Sequence, residues 1–179
     1  MPIKNKDKQN SFTAIHSELL AAKTFAYEPS QLIISNFMRE SESKEYGACS
    51  FAMNNRRIKF RVGKITPTKV GQFVTLWKRV GMGPISPYDV EDPIDLFVIS
   101  VRNRQHFGQF VFPKAILREK GIVSQGGKGG KRAMRLYPPW DITDNRQAEK
   151  TQAWQTGYFF EISPDTCVDI VKVRRLFSG

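Results

Sequence analysis

The sequence predicts an α+β fold: a single domain with a curved, mainly antiparallel sheet or pseudobarrel and flanking helices. Three observations predict it. Helical and strand patterns segregate along the chain instead of alternating, which disfavours a parallel α/β sheet. Two pairs of strand-like runs are each joined by a short turn segment, the signature of antiparallel hairpins. The chain of 179 residues, 40% apolar and 12% aromatic, is long enough for one hydrophobic core that needs neither disulfide nor metal.

Residues 1–11 are polar and basic, and are expected to form a disordered arm ahead of a domain spanning 12–179. Phe12, Ile15, Leu19, Leu20 and Phe25 recur at helical spacing and predict a packing helix from Phe12 to Phe25. An apolar patch at 32–38 precedes a charged segment, 39–46. Cys49, Phe51 and Met53 then lead into Asn54-Asn55, residues that tolerate positive φ, so a hairpin is expected. On its return strand Ile58, Phe60 and Val62 alternate with Arg57, Lys59 and Arg61, giving one apolar and one cationic face.

Thr66 as N-cap, Pro67 in the first turn, and Val70, Phe73, Val74 and Trp77 at helical spacing predict a helix that stops at Gly81. Residues 82–88 form a proline-punctuated loop. Ile94–Val101 is a continuous apolar run suited to a buried strand, followed by a turn at 103–106 and a strand over Phe107–Phe112. Pro113 opens a short helix to Lys120, closed by Gly121. The glycine-rich segment 124–132 is read as a flexible loop, Ala133–Tyr137 as a strand, Thr143–Trp154 as a helix and Tyr158–Ile162 as an aromatic strand. Ser163–Asp165 caps a last helix through Val168, Val171 and Leu176, with a strand over 168–173 nearly as compatible. Gly-Gln-Phe-Val occurs twice, at 71–74 and 108–111. With one copy in a predicted helix and the other in a strand, the echo carries no weight.

The net charge of +11 is concentrated in the middle of the chain. Residues 46–140 hold 17 Lys or Arg against five acids, Asp89, Glu91, Asp92, Asp95 and Glu119, whereas the rest holds 11 basic and 12 acidic residues. Such a central positive field suits a polyanion, and nucleic acid leads; a merely solubilising surface would mix both signs. Cys49 and Cys167 lie far apart without paired spacing, which disfavours zinc and fits a reducing compartment. The opening residues have no apolar segment behind them, and no apolar run approaches the about 18 residues of a membrane helix. A cytoplasmic protein with no membrane partner is expected.

Five stretches resemble one family: ESKEYGACSF at 42–51, KITPTKVGQFVTLWKR at 64–79, HFGQFVFPKAIL at 106–117, KGGKRAMRLYPPWD at 128–141 and QAEKTQAWQTGYF at 147–159. Their order is consistent with the MepB family over roughly residues 30–162, the arm and the tail after Ser163 being less well matched. The resemblance implies DNA binding and a barrel-like α+β fold akin to the DNA-binding domains of some restriction enzymes and of plant B3 transcription factors. It transfers no catalytic residues.

The residues themselves nominate the contacts. Arg57, Lys59 and Arg61 would stand about 7 Å apart on one strand face, a spacing comparable to successive phosphates. Lys64 and Lys69 flank the predicted helix start, where unpaired N–H groups could also hold phosphate. Lys128, Lys131 and Arg132 in the glycine segment, with Arg135 beyond it, could form a basic arm that orders on DNA; the segment lacks the GxxxxGK[ST] spacing of a nucleotide P-loop. Arg102, Asn103 and Arg104 at a strand end have the chemistry to read base edges. Trp77, Trp140 and Trp154 are read as core anchors before stacking platforms, with Trp140 alone a stacking candidate.

These groups are expected to converge on one concave surface. The expected function is non-enzymatic binding of double-stranded DNA, with no cofactor. Two alternatives stand beside it. A metal-dependent nuclease would use Asp89, Glu91, Asp92 and Asp95, or the E-x-K spacing of Glu42–Lys44, whose upstream acid is missing except for Asp7. An interaction module would bind an acidic protein. His16 and His106 lack a Ser, Cys and acid constellation and are read as structural.

Overall fold

The computed structural model describes residues 15–179; the arm expected over 1–11, Asp7 and the first residues of the predicted opening helix lie outside the described residues. Helix α1 (Ser17–Ala22) starts at His16, whose Nδ1 accepts from the Glu18 N–H at 3.2 Å, and continues as a wide π-helical turn, Lys23–Tyr27. Strands β1 (Ile34–Arg39), β2 (Cys49–Met53) and β3 (Arg56–Val62) follow as a meander. The turn between β2 and β3 uses Asn54 and Asn55 at φ of 49° and 60°, as their tolerance of the left-handed region predicts.

The predicted helix from Thr66 to Gly81 does not form. In its place are β4 (Lys64–Thr66), β5 (Lys69–Thr75) and β6 (Trp77–Arg79), followed by β7 (Ile85–Pro87) inside the expected proline loop. Val70, Phe73, Val74 and Trp77 fit helical spacing, but Gln72, Val74 and Leu76 are buried while Phe73, Thr75 and Trp77 are only half-buried, a period of two. Pro67 and Thr68 make the two-residue turn between β4 and β5. Proline serves a turn as well as a first helical turn, so the punctuation was ambiguous and the β-branched, aromatic composition decided it.

Strands β8 (Leu96–Arg102) and β9 (Phe107–Pro113) form the second predicted hairpin. Helix α2 (Lys114–Glu119) begins after Pro113 as expected. Then come β10 (Ala133–Leu136), α3 (Arg146–Gln155), β11 (Phe159–Glu161) and α4 (Ile170–Ser178). Asn145 caps α3 by accepting from the Ala148 N–H at 2.9 Å. The last element is the helix rather than the strand, but its cap is Asp169, which accepts from the Lys172 N–H at 2.9 Å, and not Ser163–Asp165. Tyr158 belongs to a short 3₁₀ turn ahead of β11.

The fold is α+β, built on three open sheets. The largest has the order β1-β2-β3-β8-β9-β11 and is antiparallel except between β3 and β8; β10-β5-β4 and β6-β7 are fully antiparallel. β8 and β9 are buried on both faces. Leu96, Val98 and Val111 meet Leu19, Tyr27, Val173 and Phe177 beneath α1 and α4, while Phe97, Ile99, Phe110 and Phe112 meet Val74, Leu76, Leu117 and Leu136 on the other side. No helix among the described residues is long and apolar enough to cross a membrane.

The Gly-Gln-Phe-Val echo now has a physical reason, because both copies are strands, in β5 and β9. A Cβ on Gly71 would come within 2.6 Å of the Leu136 carbonyl, and one on Gly108 within 2.5 Å of the Phe160 carbonyl, so each glycine admits a neighbouring strand. The glutamines that follow, 2% and 0% exposed, each cross-link strands. Gln72 donates to the Arg102 carbonyl at 2.9 Å; Gln109 accepts from the Tyr27 hydroxyl at 2.5 Å and donates to the Ser100 hydroxyl at 2.9 Å.

The two cysteines are free and differ in chemistry. Cys49 is buried in β2, where desolvation, with Glu40 adding, pushes its thiol up to about 12; Cys167 is exposed. Only a thiolate alkylates. Iodoacetamide at neutral pH should therefore modify Cys167 in the native protein and Cys49 only after denaturation, read as one and then two adducts by mass spectrometry.

Candidate nucleic-acid interface

Strand β3 forms where the alternation puts it, but its cations are paired with acids, and exposure falls from an exposed Arg57 through a half-buried Lys59 to a buried Arg61. Arg61 is 1% exposed, donating from Nη2 to Glu40 at 2.6 Å and to the Tyr88 hydroxyl at 3.0 Å. Lys59 pairs with the other oxygen of the same Glu40 at 2.8 Å. Arg57 binds Asp95 through Nε and Nη2 at 3.0 and 2.9 Å, an interaction that holds the Asp95 carboxyl down to about 2. Glu40 and Tyr88 cover Arg61 and part of Lys59, and Asp95 holds the exposed Arg57, so the expectation of a solvated row of three free cations aimed at phosphates is corrected. Periodicity reports which side chains share a face; it does not report what covers that face.

The strand-end group is also engaged. Arg102 pairs with Glu18 at 2.8 Å and lies 4.0 Å over the Phe107 ring, while the Asn103 side chain accepts from the backbone N–H groups of Gln105 and His106 at 2.8 and 2.7 Å. Asn103 thus forms the turn instead of facing a base. Arg104 is exposed. Trp140, the stacking candidate, is stacked on His106 at 5.0 Å and meets Phe159 edge-on; His106 in turn pairs with Glu161 at 2.7 Å. Trp154 anchors an aromatic cluster with Phe112, as expected, whereas Trp77 lies in β6 beneath the Arg79 guanidinium.

The glycine segment is not a loose arm. Gln125 and Lys128 exchange backbone hydrogen bonds at 3.1 Å, and Gly126 and Gly127 between them take φ of 59° and 72°, a turn that few side chains tolerate. Asp89 fixes it, accepting from the Gly127 N–H at 3.0 Å and the Ser124 hydroxyl at 2.7 Å; these bonds hold its carboxyl well below the usual range. The Lys131 N–H donates to Ile122 and the Arg132 carbonyl accepts from Leu76, each at 2.9 Å. Lys128, Lys131 and Arg132 are consequently presented on an ordered frame, exposed and, among the described residues, without an ion pair.

A concavity lies on the three-stranded sheet, between β5, β10 and α3. Its volume is about 670 Å³, and its lining includes Lys69, Lys120, Lys131, Arg135 and Lys150 and, among the described residues, no carboxylate. Three of these, Lys69, Lys131 and Arg135, are among the sequence-nominated contacts. Lys69 opens β5, and no helix N-terminus stands beside it; Lys64 in β4 sits outside the lining, its ammonium 4.4 Å above the Tyr46 ring. Arg135 donates to Thr66 Oγ1 and to the carbonyls of Val70 and Gly71 at 3.0, 3.3 and 3.2 Å, all neutral oxygens. Lys120, which also pairs with Glu119 at 2.9 Å, and Lys150 were missed by sequence reasoning. Lys150 lies on α3 one turn beyond Gln147, but only the docking of that helix against β10 reveals which face meets the concavity.

Of the acids proposed for a metal, all but the exposed Glu91 have other work. Asp92 pairs with Lys78 at 2.5 Å and accepts from the Asp89 N–H, Asp95 holds Arg57, Asp89 pins the glycine turn, and Glu42 pairs with Arg79 at 2.7 Å. Among the described residues no three His, Cys, Asp or Glu are grouped to hold a metal ion.

The fold and this concavity define a single-domain α+β protein with a cationic cleft on its three-stranded sheet. The chain belongs to the MepB-like family, whose model matches residues 40–161. It is similar to a crystal structure of MepB, with 34% sequence identity and a TM-score of 0.71 over 81% of this chain and 95% of that one. A bacterial homing endonuclease aligns at 13% identity and a TM-score of 0.42 over 84% of this chain and 91% of that one. No curated protein matches.

Proposed function

We propose that this protein binds nucleic acid, with double-stranded DNA as the expected partner, through the cationic concavity and the adjoining glycine turn, and that it acts by binding and not by catalysis. The observation that carries this is the contrast between two sets of cations. Arg57, Lys59, Arg61 and Arg102 are matched to Asp95, Glu40 and Glu18. Lys69, Lys131, Arg135 and Lys150 share a concavity lined, among the described residues, by no carboxylate, and Lys128 and Arg132 extend it along an ordered turn. Like charges gathered around one recess repel one another, and a polyanion relieves that repulsion while releasing its own counterions. The reading places the protein in the cytoplasm, where its two free thiols would stay reduced.

Salt dependence tests it. If about five phosphates are neutralised, log K should fall against log salt with a slope of about −4.5, so a labelled duplex followed by fluorescence anisotropy should bind several-hundred-fold more weakly at about 200 mM salt than at 50 mM. Binding indifferent to salt, or no binding at about 50 mM, rejects the proposal.

A further inference from the structure

The concavity on β5, β10 and α3 has the size and lining of a small-molecule site. Its volume of about 670 Å³ lies within the roughly 300–1,000 Å³ typical of such sites, room for one compact ligand inside, while a duplex would meet only its exposed lysines. Ring surface from Phe73, Tyr137 and Trp154 joins the five cations in the lining. Planar groups stack on such rings, and phosphates take up such cations.

The walls are fixed in advance. Gln155 of α3, fully buried, donates to the Arg135 carbonyl at 2.9 Å and accepts from the Tyr137 N–H at 2.8 Å, while Gln152 donates to the carbonyls of Pro138 and Asp141, each at 2.9 Å. These bonds tie helix to sheet across the floor. The Arg135 guanidinium is equally fixed, yet all three of its bonds go to neutral oxygens, so it is a half-buried cation with no carboxylate partner among the described residues. The buried Arg61 guanidinium, by contrast, has Glu40 as its acid. A positioned cation in a rigid recess lacks the anion that its surroundings would normally include.

We propose that the concavity is a binding site for one phosphorylated nucleoside, its base against the aromatic surface and its phosphates on Arg135 and the surrounding lysines. The inference rests on the nucleic-acid reading for the phosphate chemistry of these cations, and it deepens that reading by making a single nucleotide unit the thing recognised. The unit could be supplied by a free nucleoside polyphosphate or by the unpaired end of a strand; both present the same chemistry.

Calorimetric titration with ATP, pyrophosphate and adenosine in low-salt buffer tests it, together with Thr151→Trp, which places a bulky ring in the concavity from α3 without removing a cation. ATP should bind about tenfold more tightly than pyrophosphate, the scale of one stacked base, and more tightly than adenosine, which has no phosphate for the cations; Thr151→Trp should remove the advantage over pyrophosphate. Anisotropy then compares a blunt duplex with one carrying a short 5′-phosphorylated overhang; an overhang preference lost in Thr151→Trp supports the same site with a strand end as the source. If that variant fails to fold, Gln147→Trp, exposed one turn earlier on α3, replaces it. Pyrophosphate matching ATP overturns the inference, as does a folded, pocket-filled variant that still distinguishes ATP or the overhang. Absence of ATP binding and of overhang preference also overturns it. In that case salt-dependent duplex binding leaves the broader reading standing, and its absence removes both.

Discussion

Glu40→Ala should destabilise the protein by about 3–5 kcal/mol, the cost of removing one partner from a buried ion pair. Arg61 lies inside the fold with its Nη2 2.6 Å from the Glu40 carboxylate, and without that carboxylate its remaining partners are the Tyr88 hydroxyl and the Phe60 carbonyl. Its Nε already lacks a partner among the described residues. Lys59 loses the same acid. Urea denaturation should show a lower midpoint at unchanged m-value, whereas Glu119→Ala, at an exposed pair, should shift stability by no more than about 0.5 kcal/mol.

The same pair sets a pH dependence. Burial pushes the Glu40 carboxyl up, but Arg61 and then Lys59 outweigh it and hold the group below its ordinary range. A carboxyl lowered in the folded state contributes its full stability above the unfolded value of about 4.3 and loses it as pH falls through the folded value. Wild type should therefore lose stability below about pH 4 more steeply than Glu40→Gln, which has no charge there to lose. An unchanged urea midpoint in Glu40→Ala would show that the Arg61 charge is relieved by some other route.

Local chemistry made much of the fold legible. The Asn54-Asn55 turn, the strands on either side of it, the β8–β9 hairpin, α2 behind Pro113 and the existence of α3 and α4 all follow from patterns of a few residues. The errors arose where two patterns shared one sequence or where distant chain decided the outcome. Val70, Phe73, Val74 and Trp77 fit helix and strand alike, and the sheet they join, β10-β5-β4, needs a partner 60 residues away that no window includes. The cationic face of β3 was visible, but its covering by Glu40 and Tyr88 was not, since both come from other elements. Asp89 pins Gly127 across 38 residues, so a composition that reads as flexible is ordered. The charge excess itself was legible from sequence; the division into matched and unmatched cations required tertiary contacts.

Lys69→Ala, Lys131→Ala and Lys150→Ala together should weaken duplex binding on the order of 500-fold at about 0.1 M salt, because three contacts each contribute about −0.9 to the salt slope relative to 1 M. The loss should be similar for all sequences, with the slope flatter by about three units, since phosphate contacts do not read bases. These side chains are exposed and pair with no acid among the described residues, so circular dichroism and the urea midpoint should stay near wild type. Arg57→Ala, Lys59→Ala and Arg61→Ala together form the contrasting variant. Alternation alone says that it folds and binds less well. The contacts reverse this: Glu40 would be left half-buried with neither cation, Asp95 would lose its bidentate partner, and the covered space vacated by Arg61 would be empty. That variant should fail in the urea titration before any DNA is added. A stably folded β3 triple that loses DNA binding, beside a concavity triple that retains it, would return the interface to β3.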